Sequence, residues 1–581
     1  MTRLTVHSLL LTAFLLAACA APTPTPIPPR PSEEATALPV TDAPPITLEP
    51  PADAFRFVVD RNADLGSASI IADFIAVQGS PWDRNNAFEA QAWRDLRLRT
   101  DAPQLLNDEY YWPEGGLQVI RSAEAPSTCA GGARGPLGPN NDLWLCMDDF
   151  ESFRQNWAAA LGEDLHPTLG LGVMPRTLSH NPESPNWMLM SPANPDEWSA
   201  VMREAGAYLA EVGWNEPLIF FFGEYENFFY GKDRPLYDSA AETAQARAED
   251  YAELYILTQN ALQEHLPQVK LAGAVTSTYS RDHTRDLQQN PYALGLEDWL
   301  EALKRLDPNF VPSAVGWQGY YWYGLDGYGS NRLLEGAEHI RGVLRDLGYP
   351  ENIPQYLDGW NGTFGNFEAE DGSMPDDARV LKEATHLAAM MIDMLEVGAE
   401  RRIQSAYYYT WNLDGSAFPD YRCGFPYQSL VSTVHEGINL NDPNYPDCNI
   451  PPSEIECLRA TYHALHFISD LRDGNFVSAA FAGEGDVDVS GVRYIVTKQA
   501  DTTQIVLVQR DGAALPFFHL EVQGLNPNSR YTVTVNTIQP LENACAEVVS
   551  QTYSVNANQN GALFFPLPPA ENGLMQILVQ P

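Results

Sequence analysis

The chain predicts an α/β protein: a (β/α)8, or TIM, barrel followed by a C-terminal antiparallel β-sandwich. Three observations carry that reading. Eight apolar runs of strand length alternate with amphipathic stretches through the middle of the chain, as a parallel sheet covered by helices requires. No glycine-rich phosphate loop follows the first run, so a doubly wound nucleotide-binding sheet is the poorer fit. After about Asn475 the pattern changes to short runs separated by turns, as in a sandwich.

The eight runs are Ile70–Gln78, Leu96–Thr100, Pro167–Met174, Leu218–Tyr225, Val269–Thr276, Ala314–Trp322, Pro354–Trp360 and Ile403–Trp411. Between them lie Pro195–Val212, Ala248–His265, Leu296–Leu306, Asn331–Leu347 and Ala378–Val397, whose apolar residues recur at helical spacing. A long insertion, roughly Leu105–Trp144, separates runs two and three and is expected to form a loop over the barrel mouth. The later strands are Val492–Thr497, Gln504–Gln509, His519–Val522, Arg530–Val535, Ala562–Phe565 and Met575–Val579. Packing against the barrel is the favoured role for this second domain, and carbohydrate binding the alternative.

The N-terminus reads as an export signal. Arg3 precedes the apolar run Leu9–Leu16, which is too short to span a bilayer and ends in Leu16-Ala17-Ala18-Cys19. A small-residue cleavage site directly before cysteine is the pattern of a lipoprotein, with Cys19 the lipidated residue. Residues 20–52 are dominated by Pro, Thr and Ala, cannot bury a core, and behave as a semi-rigid spacer. The division expected is therefore 1–19 signal, 20–52 linker, 53–475 barrel and 476–581 sandwich. The implied location is outside the cytoplasm, lipid-anchored at the cell surface or the periplasmic face of a bacterial membrane. Contact with that membrane would be through the lipid alone.

Composition narrows the partners. A net charge of −41 over 581 residues repels nucleic acid and anionic membrane surfaces. With Cys19 set aside, six cysteines remain, and an even number in an exported chain suggests disulfides. Cys129 with Cys146 would close one loop, and two of Cys423, Cys448 and Cys457 another. Their spacing resembles no zinc site. No metal and no cofactor is implied.

Chemistry in such a barrel sits where strands end, on the C-terminal face. Run four ends in Phe220-Phe221-Phe222-Gly223-Glu224-Tyr225-Glu226-Asn227, two carboxylates after buried-type aromatics. A carboxyl beside aromatic walls has its neutral form favoured, which suits a general acid. Run seven ends in Asp358-Gly359-Trp360-Asn361, and run eight in Tyr409-Thr410-Trp411-Asn412-Leu413-Asp414. Rings stack on sugar faces while amides and carboxylates bond hydroxyls, so a carbohydrate ligand is expected, with Trp360, Tyr409 and Trp411 in contact with it. Phe220, Phe221 and Phe222 are assigned to the barrel core.

The order and spacing of these segments resemble glycoside hydrolase family 39 and related clan A barrels. The resemblance rests on Thr168–Pro175, Glu249–Leu262, Lys270–Gly273 and Tyr409–Asp414, and spans roughly residues 55–475. It implies a glycosidase acting on O-glycosidic bonds through two carboxylates, with Glu224 as acid/base. A literal Trp214-Asn215-Glu216-Pro217 copy of the family's acid/base motif precedes run four, at the barrel's stability face, and is set aside. Gly359 stands where the family's nucleophilic glutamate is expected. Asp358 is the substitute, one residue early and so expected on the other face of the strand unless a bulge re-aims it. Glu226, two residues further along the same strand edge, is the rival acid/base. Substrate contacts are expected from Glu226, Asn227, Arg99, Gln318, Tyr320, Asn361 and Asp414, although Gln318 departs from the family, which usually has a His and a Tyr at the end of strand six. Loop residues His180 and Asn181 are further candidates. Three readings follow: a surface-anchored glycosidase, a catalytically impaired glycan-binding lipoprotein, and a scaffolding protein on an ancestral barrel.

Overall fold

The computed structural model describes residues 54–78, 87–97, 99–100, 117–120, 143–146, 168–171, 174, 178–181, 190–211, 213–222, 240–276, 278–287, 289–320, 330–361, 376–397 and 401–409, then 430–432, 438–439, 449–450, 456–483, 487–510, 513–541, 545–568 and 570–581. The barrel strands are, in chain order, Ile75–Gln78, Arg99–Thr100, Thr168–Leu171, Leu218–Phe221, Lys270–Thr276, Ala314–Tyr320, Gln355–Asn361 and Ile403–Tyr409. Numbered one to eight along the chain, they lie in the sheet as 2-1-8-7-6-5-4-3, every pairing parallel. Each strand is beside its neighbour in sequence and strand eight pairs with strand one, which is cyclic order. Among the described residues the order opens only between strands two and three.

Side chains inside the sheet show the closure directly. Ala76, Leu218, Phe220, Ala272, Val275, Ala314, Tyr356 and Tyr407, from strands one, four, five, six, seven and eight, form one buried cluster. The Phe220 ring meets Tyr407 edge-on with centroids 5.1 Å apart. Thr168 Oγ1 lies 2.5 Å from the Tyr407 hydroxyl, so strands three and eight meet across the interior. The alternate residues of the same strands, among them Ile219, Phe221, Trp317 and Leu357, pack outward with the helices in a second, larger core.

Local chemistry fixes the helices. In Pro195–Glu211, Asn194 Oδ1 accepts the Asp196 N–H at 3.0 Å, Pro195 occupies the first turn, and Asp196 and Glu197 face the positive end of the helix dipole. Its buried stripe is Trp198, Val201, Met202, Ala205 and Leu209, the helical spacing. Leu296–Leu306 has acids in its first turn and Lys304 and Arg305 in its last.

The structure corrects several expectations. Ile70–Phe74 is a short helix, so strand one begins at Ile75; a brief apolar run does not by itself distinguish buried helix from strand. Leu96 closes a helix, Ala87–Leu96, that buries Ala92, Trp93 and Leu96, and strand two is only Arg99–Thr100. Within the insertion, Leu117–Ile120 pairs in parallel with Leu143–Cys146; its expected place over the mouth lies outside the described residues.

The second domain is one nine-stranded sheet enclosing a single core of Phe57, Val59, Ile505, Leu507, Leu520, Val522, Val533, Val535, Leu563 and Ile577. Strand Arg56–Ser67 is part of it, antiparallel to Asn475–Ala482 and parallel to His519–Gln523. The chain thus contributes one strand to the sandwich before entering the barrel, and the sheet is mixed rather than purely antiparallel. Alternation predicts that a strand forms, not which sheet recruits it. Among the described residues a disulfide joins Cys457, just before helix Ala460–Ser469, to Cys545 in the sandwich. Cys457 therefore does not bond Cys423 or Cys448. Cys129, Cys423 and Cys448, and the side chain of Cys146, lie outside the described residues. Nearby, Arg493 pairs with Asp393 at 2.5 Å and His463 Nε2 lies 3.1 Å from the Ala546 carbonyl oxygen, tying helix and sheet together.

Candidate active site at the barrel mouth

The C-terminal ends of strands four, five and seven depart from regular β-structure. Strand five slips by one residue against strand six: Ala274 is opposite Gly316 and Thr276 opposite Trp317, with Val275 extra at φ 49°. Strand seven slips against both neighbours. Leu357 is opposite Trp317 and Ala406, whereas Trp360 is opposite Gly319 and Tyr408. One extra residue is accommodated at Asp358-Gly359, with Gly359 at φ 155°, a region that a side chain disfavours. Strand four is followed directly by Phe222, φ 42°, whose N–H donates to the Leu171 carbonyl at 2.7 Å. Bulges and left-handed residues cost energy, and they gather at barrel rims and beside reactive sites.

The strand-seven bulge sorts the residues around it. Tyr356 is in the inner cluster; Leu357 and Trp360 are both in the outer core. Alternation then puts Asp358 on the same inner face as Tyr356, at the mouth side, where it is 8% exposed. Asp358 lies on the interior-facing side, the placement that a regular strand aligned on Gly359 would deny it. The same slip overturns the expectation for Trp360. It is fully buried against the outer core, where the Cβ of a residue at Gly319 would meet its Cβ at 3.4 Å, and it cannot contact a ligand in the mouth.

Strand six supplies the neighbouring polar group. A Cβ at Gly316 would meet Val275 and Ala272 of the inner cluster, whereas one at Gly319 meets Leu333 of an outer helix. Gly316 and Gln318 therefore share the inner face, and Gln318 is half-buried there. Gln318 follows Trp317 just as Asp358 follows its partner Leu357, so amide and carboxylate occupy the same level on adjacent strands, about 4.8 Å apart in backbone. Beneath them Tyr356, Tyr407 and Phe220 form an aromatic floor. A carboxylate this buried is costly unless it is hydrogen-bonded.

Other expected residues fall differently. Arg99 pairs with Ala76 in strand two, Tyr320 ends strand six opposite Asn361 of strand seven, and Tyr409 ends strand eight opposite Gln78. The side chains of Arg99, Tyr320, Asn361 and Tyr409 lie outside the described residues, as do Glu224, Glu226, Asn227, Trp411, Asp414 and Cys19 entirely. Glu216 of the literal Trp-Asn-Glu-Pro stretch is exposed just before strand four, at the end opposite the mouth. Phe220, Phe221 and Phe222 are buried, as expected of core. His180 and Asn181 are half-buried after strand three, where the His180 N–H bonds the Ser191 carbonyl at 2.9 Å. Sequence reasoning missed Tyr356 and Tyr407 as the floor; it left the bulge open, and the lone glycine in the strand was its signal. Among the described residues no group of three or more His, Cys, Asp or Glu is arranged to hold a metal ion.

No protein-family model matches this chain, and no curated protein does. Solved structures do. The GH39 enzyme from Xanthomonas axonopodis pv. citri superposes with a TM-score of 0.57 at 11% identity, covering 91% of this chain and 98% of that one. A glucosidase from Croceicoccus marinus gives 0.55 at 12%, over 91% and 99%. A monomeric beta-xylosidase from Caulobacter crescentus gives 0.54 at 12%, over 91% and 100%. The barrel-plus-sandwich fold that the sequence resemblance implied is thus the fold observed, along nearly the whole of each relative. Identity this low speaks for the fold and leaves the chemistry to the residues.

Proposed function

We propose that this chain is a surface-anchored glycoside hydrolase acting on O-glycosidic bonds of oligo- or polysaccharides at the barrel mouth. One observation carries the reading: the strand-seven bulge turns Asp358 inward, beside Gln318 and above an aromatic floor, in a fold shared with a glucosidase and a xylosidase. Glu224, three residues past the end of strand four, serves as general acid/base and Asp358 as nucleophile or general base. The acid donates its proton to the departing glycosidic oxygen as the bond to the anomeric carbon breaks. The opposing carboxylate attacks that carbon, or removes a proton from the attacking water. Gln318 is suited to hold a sugar hydroxyl.

The test is hydrolysis of a panel of aryl glycosides and plant and microbial polysaccharides. Activity lost in Glu224→Gln and in Asp358→Asn, with circular dichroism unchanged, supports the proposal; activity unaffected by both would refute the assignment. The anomer first released, read by NMR, separates retention from inversion. Gly359 at the family's nucleophile position favours a second reading, a glycan-binding barrel without turnover. Binding to the same panel without product decides for it. Anchoring through Cys19 is tested by labelled fatty-acid incorporation, which Cys19→Ala should abolish while releasing the protein from membranes.

A further inference from the structure

Tyr251 stands behind the mouth, on the helix Ala240–Gln263, and is fully buried. Its hydroxyl donates to the Phe221 carbonyl at 2.7 Å and lies 3.5 Å from the Phe222 carbonyl and 3.3 Å from that of Ala274. These three carbonyls belong to the ends of strands four and five. They adjoin two non-glycine residues with left-handed backbone, Phe222 and the bulged Val275. A left-handed residue persists only where its surroundings hold it. Phe222 is held by its N–H on Leu171, by its ring against Phe221 and Trp198 at 4.9 and 6.1 Å, and by the hydrogen-bonded carbonyl just before it. It directly follows the strand and precedes Gly223-Glu224 in the sequence, so its dihedrals set the direction in which the chain leaves the strand. A glycine follows it and adds no stiffness of its own.

One helical turn on, Tyr255 makes the contrasting contact. Its hydroxyl donates to Leu271 at 2.6 Å, near the start of strand five, with Ala314 at 3.5 Å. Both tyrosines are fully buried and both bond strand carbonyls. Only Tyr251 reaches the C-terminal ends.

We infer that Tyr251 is a positioning residue: its hydroxyl clamps the exits of strands four and five and so holds the backbone at Phe222, from which the chain leads to Glu224. The role of Glu224 rests on the glycosidase reading above; the clamp itself does not. Displacing a catalytic group by about 1 Å is enough to lower turnover markedly, so a clamp two residues away acts on kcat rather than on substrate affinity.

The experiment compares Tyr251→Phe with Tyr255→Phe, which keep the rings and remove one hydroxyl each. Two readouts are used: steady-state kinetics across pH on the best substrate, and amide hydrogen exchange in the peptide covering residues 218–228. In Tyr251→Phe we expect kcat to fall roughly tenfold or more with KM little changed. Its acid-side pH profile should shift, and exchange near Phe222 should accelerate. Tyr255→Phe should lower the melting temperature without moving any of these. Wild-type kcat, pH profile and exchange in Tyr251→Phe would overturn the inference. If the wild-type protein hydrolyses nothing, the glycosidase reading fails and exchange still decides: acceleration confined to Tyr251→Phe upholds the clamp, and equal exchange in both variants refutes it.

Discussion

The barrel rim and the sandwich hairpin are built from the same pleated strands and follow different rules. Strands Arg530–Pro540 and Ala546–Asn556 pair residue for residue, from Arg530 opposite Asn556 to Pro540 opposite Ala546, without a slip. Strands five and seven of the barrel each slip toward the mouth, at Val275 and at Asp358-Gly359, and strand seven slips once more against strand eight at its start, between Gln355 and Tyr356. A slip forfeits ladder hydrogen bonds and forces the extra residue into an unfavourable backbone region. The sandwich has no such sites along this ladder, and its inner residues form a continuous apolar core. Regular pairing serves cohesion; irregular pairing aims a side chain that regular pairing would turn away.

The contrast is broken most severely by Asp358→Asn. The substitution keeps shape and removes the charge, so turnover should fall by roughly 10²–10⁴-fold, the range for losing a catalytic acid or base. The melting temperature should stay close to wild type. A variant that melts far earlier but turns over normally would make Asp358 a structural residue. Next in size is the disulfide. The Cys457–Cys545 bond closes a sequence separation of 88 residues and joins the barrel's last helix region to the sandwich. Replacing both cysteines by alanine should cost about 2–5 kcal/mol of unfolding free energy, seen by denaturant titration. The kcat should be little changed, because neither cysteine belongs to the candidate site. Third is Gly359→Ala, which places a Cβ where φ is 155°. It should cost about 1–3 kcal/mol and also reduce turnover, coupling the two properties that the first two variants separate.

Much of this was legible in the sequence, and the failures have a common cause. Seven of the eight apolar runs marked barrel strands because burial on both faces writes a continuous apolar signal; strand two, Arg99–Thr100, has no apolar residue, and Leu96 of its run belongs to the preceding helix. Pro195 after Asn194 marked a helix start because that chemistry is local. Trp360 was misplaced because its facing depends on a slip two residues earlier, and one inserted residue reverses every side chain beyond it. Arg56–Ser67 was assigned to the barrel because its partners lie more than 400 residues away, as in the Arg56–Glu521 ion pair. Cys457 found Cys545, and not a cysteine nearer in sequence, because the helix Ala460–Ser469 docks on the sandwich. Local physics is readable from a window of residues; pairing partners and facing after a bulge are not.

The smallest effect expected concerns acid, and it falls on the seam between the two regions. His463, against the Ala546 carbonyl, and His386, on the helix packed beside the sandwich, are buried and held neutral. Burial presses His386 down to about 3, with Arg510 and Lys382 adding to the effect, and His463 to about 4 despite its hydrogen bond to Ala546. Once unfolded, both return toward the ordinary value near 6.5. Between that value and about 4 the unfolded chain binds protons that the folded one refuses, so stability declines as pH falls through this window. The acidic surface works the other way, since protonating carboxylates relieves the repulsion of a net charge of −41. The informative quantity is therefore a difference in slope. Melting temperature followed from pH 7 to pH 4 should fall more steeply in the wild type than in His463→Gln, with His386→Gln behaving likewise. Parallel slopes would mean that the seam does not sense protons and that acid acts on the sandwich and the barrel alike.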